Sequence, residues 1–371
     1  MTANNIPSLY VHVPFCASIC SYCDFARQVY RVETADRWLD AIETELHVRA
    51  DGLKPETIYI GGGTPSCLSL PQLDRLLALL DPYTEQVQEY TVECNPELQD
   101  MQILECLASH HVNRISMGLQ TADSSLLKTC GRRHEATDVR RLVDQFSACG
   151  ISNISLDLMY GLPDQTMKQL EDSVSFALSC NPKHLSLYSL TIEPNSVFGK
   201  TGVQPADMDL EADMYERICS ILNDYGYLHY EISNFSLPGY ESKHNTNTWK
   251  YRNFLGIGYG AWGMEDHCRY THADTLRSYL EDPLYRDVTE LTEKERMFEF
   301  MMMGLRLRHG ISSDHFYELF HIRPEGVYPD TIRSLTARGL LEETEGRLFC
   351  TERGWPLLNS LLVEFMEEAQ L

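Results

Sequence analysis

From residue 8 to about residue 235, short apolar runs rich in β-branched and aromatic residues alternate with longer amphipathic stretches. LYVHV (9–13), TIYIGGG (57–63), YTVEC (90–94), RISMGL (114–119), ISLDLMYG (154–161) and LSLYSL (185–190) have the length and composition of strands. Between them, DRWLDAIETELHVRA (36–50), LPQLDRLLALL (70–80) and EATDVRRLVDQFSACG (135–150) repeat apolar residues at helical spacing, and the last stops at Gly150, a natural C-cap. LHYEISNF (228–235), after the helical DMDLEADMYERICSILNDYG (207–226), is a candidate seventh strand. This alternation predicts parallel strands joined by helical crossovers. Six or seven such units favour a barrel or partial barrel over an open sheet.

Barrels place their chemistry at the C-terminal ends of the strands. Four of the predicted strands end in polar or glycine-rich segments: Gly61-Gly62-Gly63-Thr64, Glu93-Cys94-Asn95-Pro96, Gln120, and Asp157 through Gly161. One such end is an ordinary turn. Four on one rim mark an active-site mouth.

After residue 240 the pattern changes. HNTNTWKYRNFLGIGYGAWGM (244–264) is aromatic, glycine-rich and without a clear period, and is predicted to be irregular. LTEKERMFEFMMMGLRLR (291–308) reads as a helix, Ser313-Asp314 and Pro329-Asp330 open two more, and GLLEETEGRLFCTERG (339–354) reads as a hairpin turning at Glu345-Gly346. Three helices and a hairpin resemble a winged-helix module. Residues 291–371 carry 9 Lys+Arg against 14 Asp+Glu, however, so an interaction or lid role fits better than DNA binding. The expected division is 1–240 for the barrel, 241–290 for a connecting segment and 291–371 for the helical domain.

The net charge of −23 removes nucleic acid as a partner, because such binding needs a basic footprint. No stretch approaches 18 uncharged apolar residues, so no transmembrane segment is expected. The start, MTANNIPSLYVHV, has no basic leader and no cleavable apolar segment, which points to the cytoplasm. Of the 12 cysteines nine are scattered singly, as buried thiols are in reduced cores.

The other three are Cys16, Cys20 and Cys23, in PFCASICSYCDFA (14–26) directly after the first strand. Structural zinc prefers four ligands in two separated pairs, and no second pair follows. A redox dithiol needs only CxxC and leaves Cys16 without a role. A [4Fe–4S] cluster normally takes four thiolates. Three on one loop would leave one iron open for a substrate-like ligand.

CxxxCxxC on the first loop of a β/α barrel, with GGGTP ending the second strand, resembles the radical S-adenosylmethionine (SAM) superfamily. Further segments resemble one branch of it, the oxygen-independent coproporphyrinogen III oxidases and the HemW-type heme chaperones. These are SLYVHVPFC (8–16), IYIGGGTPSCLS (58–69), TVECNP (91–96), NRISMGLQT (113–121), LDLMYGLPDQT (156–166), LSLYSLTIEPNS (185–196), KHNTNTW (243–249) and GIGYGAWG (256–263).

The resemblance implies an α/β fold, a partial (β/α)6-type radical SAM barrel followed by a mostly helical, winged-helix-like C-terminal domain. It implies that Cys16, Cys20 and Cys23 ligate a [4Fe–4S] cluster, and that Tyr10, Gly62 and Glu93 meet the cluster-bound SAM. Tyr22, Gly63, Thr64, Gln120, Arg132 and Asp157 match positions that hold a second SAM in the oxidases. Thr191 and Trp262 align with further SAM-lining positions but differ in residue type. The oxidase pattern has a fourth cysteine two residues after the third; here that residue is Phe25. The oxidases also carry an N-terminal extension before the loop, whereas Cys16 lies near the start of this sequence. Both departures imply the chaperone branch, with bound heme as cargo, acceptor hemoproteins as partners and a homodimer left open. Its heme-linked HNxxYW segment reads His244-Asn245-Thr246-Asn247-Thr248-Trp249, with Thr248 in the tyrosine position and His244 as candidate axial ligand. The alternative is oxidation of coproporphyrinogen III to protoporphyrinogen IX.

Overall fold

The computed structural model describes residues 6–98 and 100–369. The six predicted strands form: β1 (Ser8–Val13), β2 (Thr57–Gly62), β3 (Glu89–Cys94), β4 (Arg114–Gln120), β5 (Asn153–Tyr160) and β6 (His184–Ser189). They pair in that order, each parallel to the next.

Strands buried on both faces of a parallel sheet usually read as continuous apolar runs. Here they alternate, because one face is polar. Val11, Ile60, Val92, Ile115 and Ile154 are in register and buried with helix residues such as Trp38, Leu39 and Ile42. The opposite face carries Tyr10, Tyr59, Glu93, Arg114, Ser116 and Asp157. A sheet helix-covered on one side thus presents a polar interior on the other, and its C-terminal strand ends share one rim.

Two expectations change. LHYEISNF is not a seventh parallel strand but an antiparallel hairpin, β7 (Leu228–Glu231) and β8 (Asn234–Ser236), beside β6. The buried Glu231 carboxylate folds the turn by accepting from the Ser233 N–H at 2.9 Å and from the Asn234 amide. The stretch 244–264 is not irregular. It holds a helix (Lys243–Trp249), then β9 (Phe254–Ile257) parallel to β1 on its free edge, then β10 (Trp262–Glu265). Gly256 is required there: a Cβ would lie 1.9 Å from the Trp262 carbonyl oxygen. β11 (Cys268–His272) and β12 (Arg286–Glu290) extend this edge to complete a twelve-stranded sheet that does not close on itself, the partial barrel expected.

The C-terminal region has a second core, with Phe300, Phe316, Tyr328, Trp355 and Phe365 buried between helices that include Glu293–Gly304, Ser313–Phe320, Pro329–Ala337 and Leu358–Ala369. A small sheet joins β13 (Ile311–Ser312), β14 (Leu341–Thr344) and β15 (Arg347–Cys350), with the hairpin turn at Glu345-Gly346. Tyr251 and Met264 belong to this core, so it reaches back to the sheet edge.

Candidate functional site

The loop after β1 is held from three sides. Phe15–Cys16 pairs with Gln28–Val29 and closes it on itself. The Ser21 N–H donates to the Cys130 carbonyl at 2.9 Å, beyond β4, and the Ser21 carbonyl accepts from the Phe198 N–H at 2.9 Å, beyond β6. Arg27 donates to the carbonyls of Cys23 and Phe25. The loop is therefore positioned by backbone contacts, leaving the half-buried Cys16, Cys20 and Cys23 thiols free. The Cys16 sulfur accepts from the Thr64 hydroxyl at 3.7 Å, and Arg132 Nη1 lies 3.5 Å from the Cys20 sulfur. Burial pushes the Cys16 thiol up to about 11, with smaller contributions from Cys23 and Cys20.

The end of β2 is fitted to the same loop. Gly63 and Thr64 donate their N–H groups to the Val13 and Phe15 carbonyls, both at 2.7 Å. Gly62 has φ +106°, and a Cβ on it would lie 2.4 Å from the His12 ring. Only glycine suits that position.

Glu93, at the end of β3, accepts the Tyr59 hydroxyl at 2.8 Å and the Gly62 N–H at 3.1 Å. Burial pushes its carboxyl up to about 7, reinforced by Asp157 and opposed by those two hydrogen bonds. Tyr10 donates to His12 Nδ1 at 3.0 Å, since His12 Nε2 must donate to the Ala26 carbonyl at 2.8 Å. Asp157 accepts from Ser116 at 3.2 Å, and burial raises its carboxyl too. Arg132 also donates to Asn95 Oδ1 at 2.8 Å and to the Gly118 carbonyl at 2.7 Å. Gln120 adopts φ +63° at the tip of β4, where the pairing with β5 shifts register. Tyr22 packs against an apolar cluster containing Leu126, Cys130 and Phe198.

These contacts bring Tyr10, Gly62, Gly63, Thr64, Glu93 and Arg132 together with the cysteines, and Asp157 to the same polar face. Thr191 and Trp262 are exposed, Trp262 by 60%. His244 is elsewhere. It is buried at the opposite ends of β1 and β2, with Nδ1 2.9 Å from the Thr57 hydroxyl and its ring 5.1 Å from that of Tyr59. Thr57 donates to Ser8 at 3.0 Å, so His244 Nδ1 carries the proton and Nε2 keeps its lone pair.

Comparison with known proteins places these features in a family. The radical SAM superfamily model matches residues 10–177, and the HemN C-terminal domain model matches residues 291–357. The heme chaperone HemW of Bacillus subtilis is 36% identical, the alignment covering 97% of this chain and 99% of that one. HemW of Lactococcus lactis is 38% identical over 97% of each chain. The chain belongs to the HemW family of radical SAM proteins. Among solved structures, the Escherichia coli coproporphyrinogen III oxidase HemN superposes with a TM-score of 0.86 over 98% of this chain and 91% of that one. At 22% identity this shows the shared fold.

Membership in the radical SAM superfamily implies a [4Fe–4S] cluster and SAM, and the residues fit both. Three thiols sit on one loop beside the half-buried Arg132. The glycines let Glu93 and the cysteine loop close on the end of β2: a Cβ on Gly61 would lie 2.8 Å from the Glu93 carboxylate, and one on Gly63 2.5 Å from the Phe15 carbonyl oxygen. Arg132 Nε is buried with no partner among the described residues. Such a cluster supplies a low-potential electron to the sulfonium of SAM. This chain's own part would be to hold it with three thiolates, to offer Glu93 to an ammonium group and to keep Arg132 beside Cys20.

Arg114 was not singled out from sequence. It is 2% exposed in the polar interior, its Nε has no partner among the described residues, and its charge reaches Glu93, Asp157 and His244. The signal was present in RISMGL: a cation two residues before a serine, on the polar face of an apolar strand.

Proposed function

We propose that this protein is a heme chaperone that carries a [4Fe–4S] cluster at Cys16, Cys20 and Cys23, binds SAM along the rim of the sheet, and delivers heme to acceptor hemoproteins. The observation that carries this reading is the near-full-length similarity to proteins named heme chaperone HemW, which includes the C-terminal region as well as the barrel. Phe25 at the oxidase's fourth-cysteine position agrees with it, being 63% exposed and offering no ligand. A reducing compartment, the cytoplasm, suits twelve cysteines that are all free thiols. Among the described residues no helix is long and apolar enough to cross a membrane.

The test uses anaerobically reconstituted protein. Stoichiometric binding of hemin, followed by its transfer to an apo-hemoprotein, is the expected result. Conversion of coproporphyrinogen III to protoporphyrinogen IX, with release of 5′-deoxyadenosine, would overturn it in favour of the oxidase. Association state is read from the same sample by light scattering.

A further inference from the structure

A cavity of about 910 Å³ lies between the β7–β8 hairpin and the C-terminal domain. That is within the ~300–1,000 Å³ usual for enclosed small-molecule sites. It is separate from the cysteine loop: none of Cys16, Cys20, Cys23, Glu93 or Arg132 lines it. The helix Lys243–Trp249 has one side on each place. His244 faces the strand ends through Thr57, while Thr246, Trp249 and the following Lys250 line the cavity.

Three histidines line this space, and their surroundings give them different roles. His229 is a wall. Its Nε2 meets the Ile232 carbonyl at 3.2 Å, its Nδ1 faces the Cys219 sulfur at 3.8 Å, and its ring stacks on Phe235 at 4.0 Å. His309 is exposed. His315 is half-buried in the first turn of Ser313–Phe320, edge-on to Phe300 at 5.4 Å. Among the described residues its ring nitrogens make no hydrogen bond; only its backbone N–H is engaged, with Ser312. Burial lowers its pKa, helped by Arg252 and Lys250 and opposed by Glu318, which favours the neutral imidazole that coordinates iron.

The charges at the cavity are unusual for a chain of net charge −23. Three cations and two acids line it; Glu352 holds Arg308, and Glu241 has no cationic partner among the described residues. Lys250 and Arg347 have no carboxylate partner among the described residues, and Arg347 donates only to the His309 carbonyl, at 3.2 Å. Aromatic walls, one uncommitted neutral imidazole and two uncommitted cations match a planar iron macrocycle with carboxylate arms.

We infer that this interdomain cavity is the heme site, with His315 rather than His244 on the iron and with Lys250 and Arg347 receiving the propionates. The inference rests on the heme-chaperone reading and adds the location.

Hemin and metal-free protoporphyrin IX are titrated separately into the full-length protein, its His315→Ala, Arg347→Glu and His244→Ala variants, with folding of each checked by circular dichroism. His315→Ala is expected to weaken hemin binding at least ~10-fold, as loss of metal-site support does, and to shift the Soret band. Added imidazole restores the band, and metal-free porphyrin binding stays near wild type. Arg347→Glu is expected to weaken both porphyrins. Hemin binding unchanged in His315→Ala and Arg347→Glu but lost in a folded His244→Ala would overturn the location while leaving the chaperone reading intact. Failure of the wild type to bind hemin would overturn the chaperone reading itself.

Discussion

The half-buried Arg132 guanidinium lies 3.5 Å from the Cys20 sulfur. A fixed cation beside a ligand sulfur would offset the negative charge that a thiolate-held cluster brings. Arg132 reaches that position because Gly118, near the end of β4, has no side chain to exclude the guanidinium: a Cβ there would lie 2.4 Å from Nη2.

Arg132→Met is therefore expected to lose its cluster several-fold faster than wild type under chelator challenge, followed by the bleaching of the iron–sulfur absorption. Arg132→Lys keeps the charge but not the bonds to Asn95 and Gly118, and should fall between the two. Equal loss rates in all three proteins would remove Arg132 from the site.

Cys16→Ala/Cys20→Ala/Cys23→Ala should abolish iron binding after anaerobic reconstitution while leaving the melting temperature of the apoprotein nearly unchanged. The loop is positioned by its backbone contacts to Cys130 and Phe198, which the substitutions spare. Iron retained at wild-type level in this variant would refute the cluster assignment.

Gly62→Ala combines an unfavourable φ of +106° with a contact 2.4 Å from the His12 ring. His12 is itself held by Tyr10 and Ala26, so it has little room to move. A destabilisation of about 2 kcal/mol or more is expected, read by chemical denaturation of the apoprotein. SAM binding should weaken with it, because displacing His12 shifts the end of β2 and the Gly62 N–H that Glu93 accepts.

Glu93 links stability to pH. Its native pKa of about 7 lies above the ordinary carboxylate value. The native state thus holds a proton that the unfolded chain releases, and the contribution of Glu93 is complete below about pH 4.5 and lost as pH rises through about 7. The side chain is partly exposed and so partly screened by solvent, and the loss is on the order of 2 kcal/mol. Glu93→Gln should flatten the wild-type decline in melting temperature between pH 5 and 8. Parallel profiles for the two proteins would contradict the raised pKa.

His244→Ala removes a buried ring and the bond from its Nδ1–H to Thr57, and should cost about 2 kcal/mol of stability wherever heme binds. Thermal melts without heme measure that cost, and a heme effect in this variant is meaningful only beyond it. No change in melting temperature would show that the Thr57 contact is dispensable.

The six strands that carry the rim could be recognised from sequence because each holds apolar residues at every second position, as in Val11–Val13, Ile58–Ile60 and Ile115–Met117. The hairpin at Glu231–Asn234 could not, because its turn is made by a buried carboxylate rather than by glycine or proline. β9 was hidden for a related reason. FLGI is short and glycine-containing, and becomes a strand only because β1 offers it a parallel edge.

The local spacing of Cys16, Cys20 and Cys23, the glycines after Ile60 and the acid of β3 were enough to name the chemistry of the rim. Such features lie within one loop or at one strand end, where chain connectivity sets the geometry. Pairings between distant segments were decided by the tertiary structure alone: Arg132 with Cys20, Glu93 with Tyr59, and His244 with Thr57. So was the separation of His244 from Trp249. A seven-residue helix turns them to different sides, and only the packing of the C-terminal domain against the sheet edge makes one of those sides a cavity.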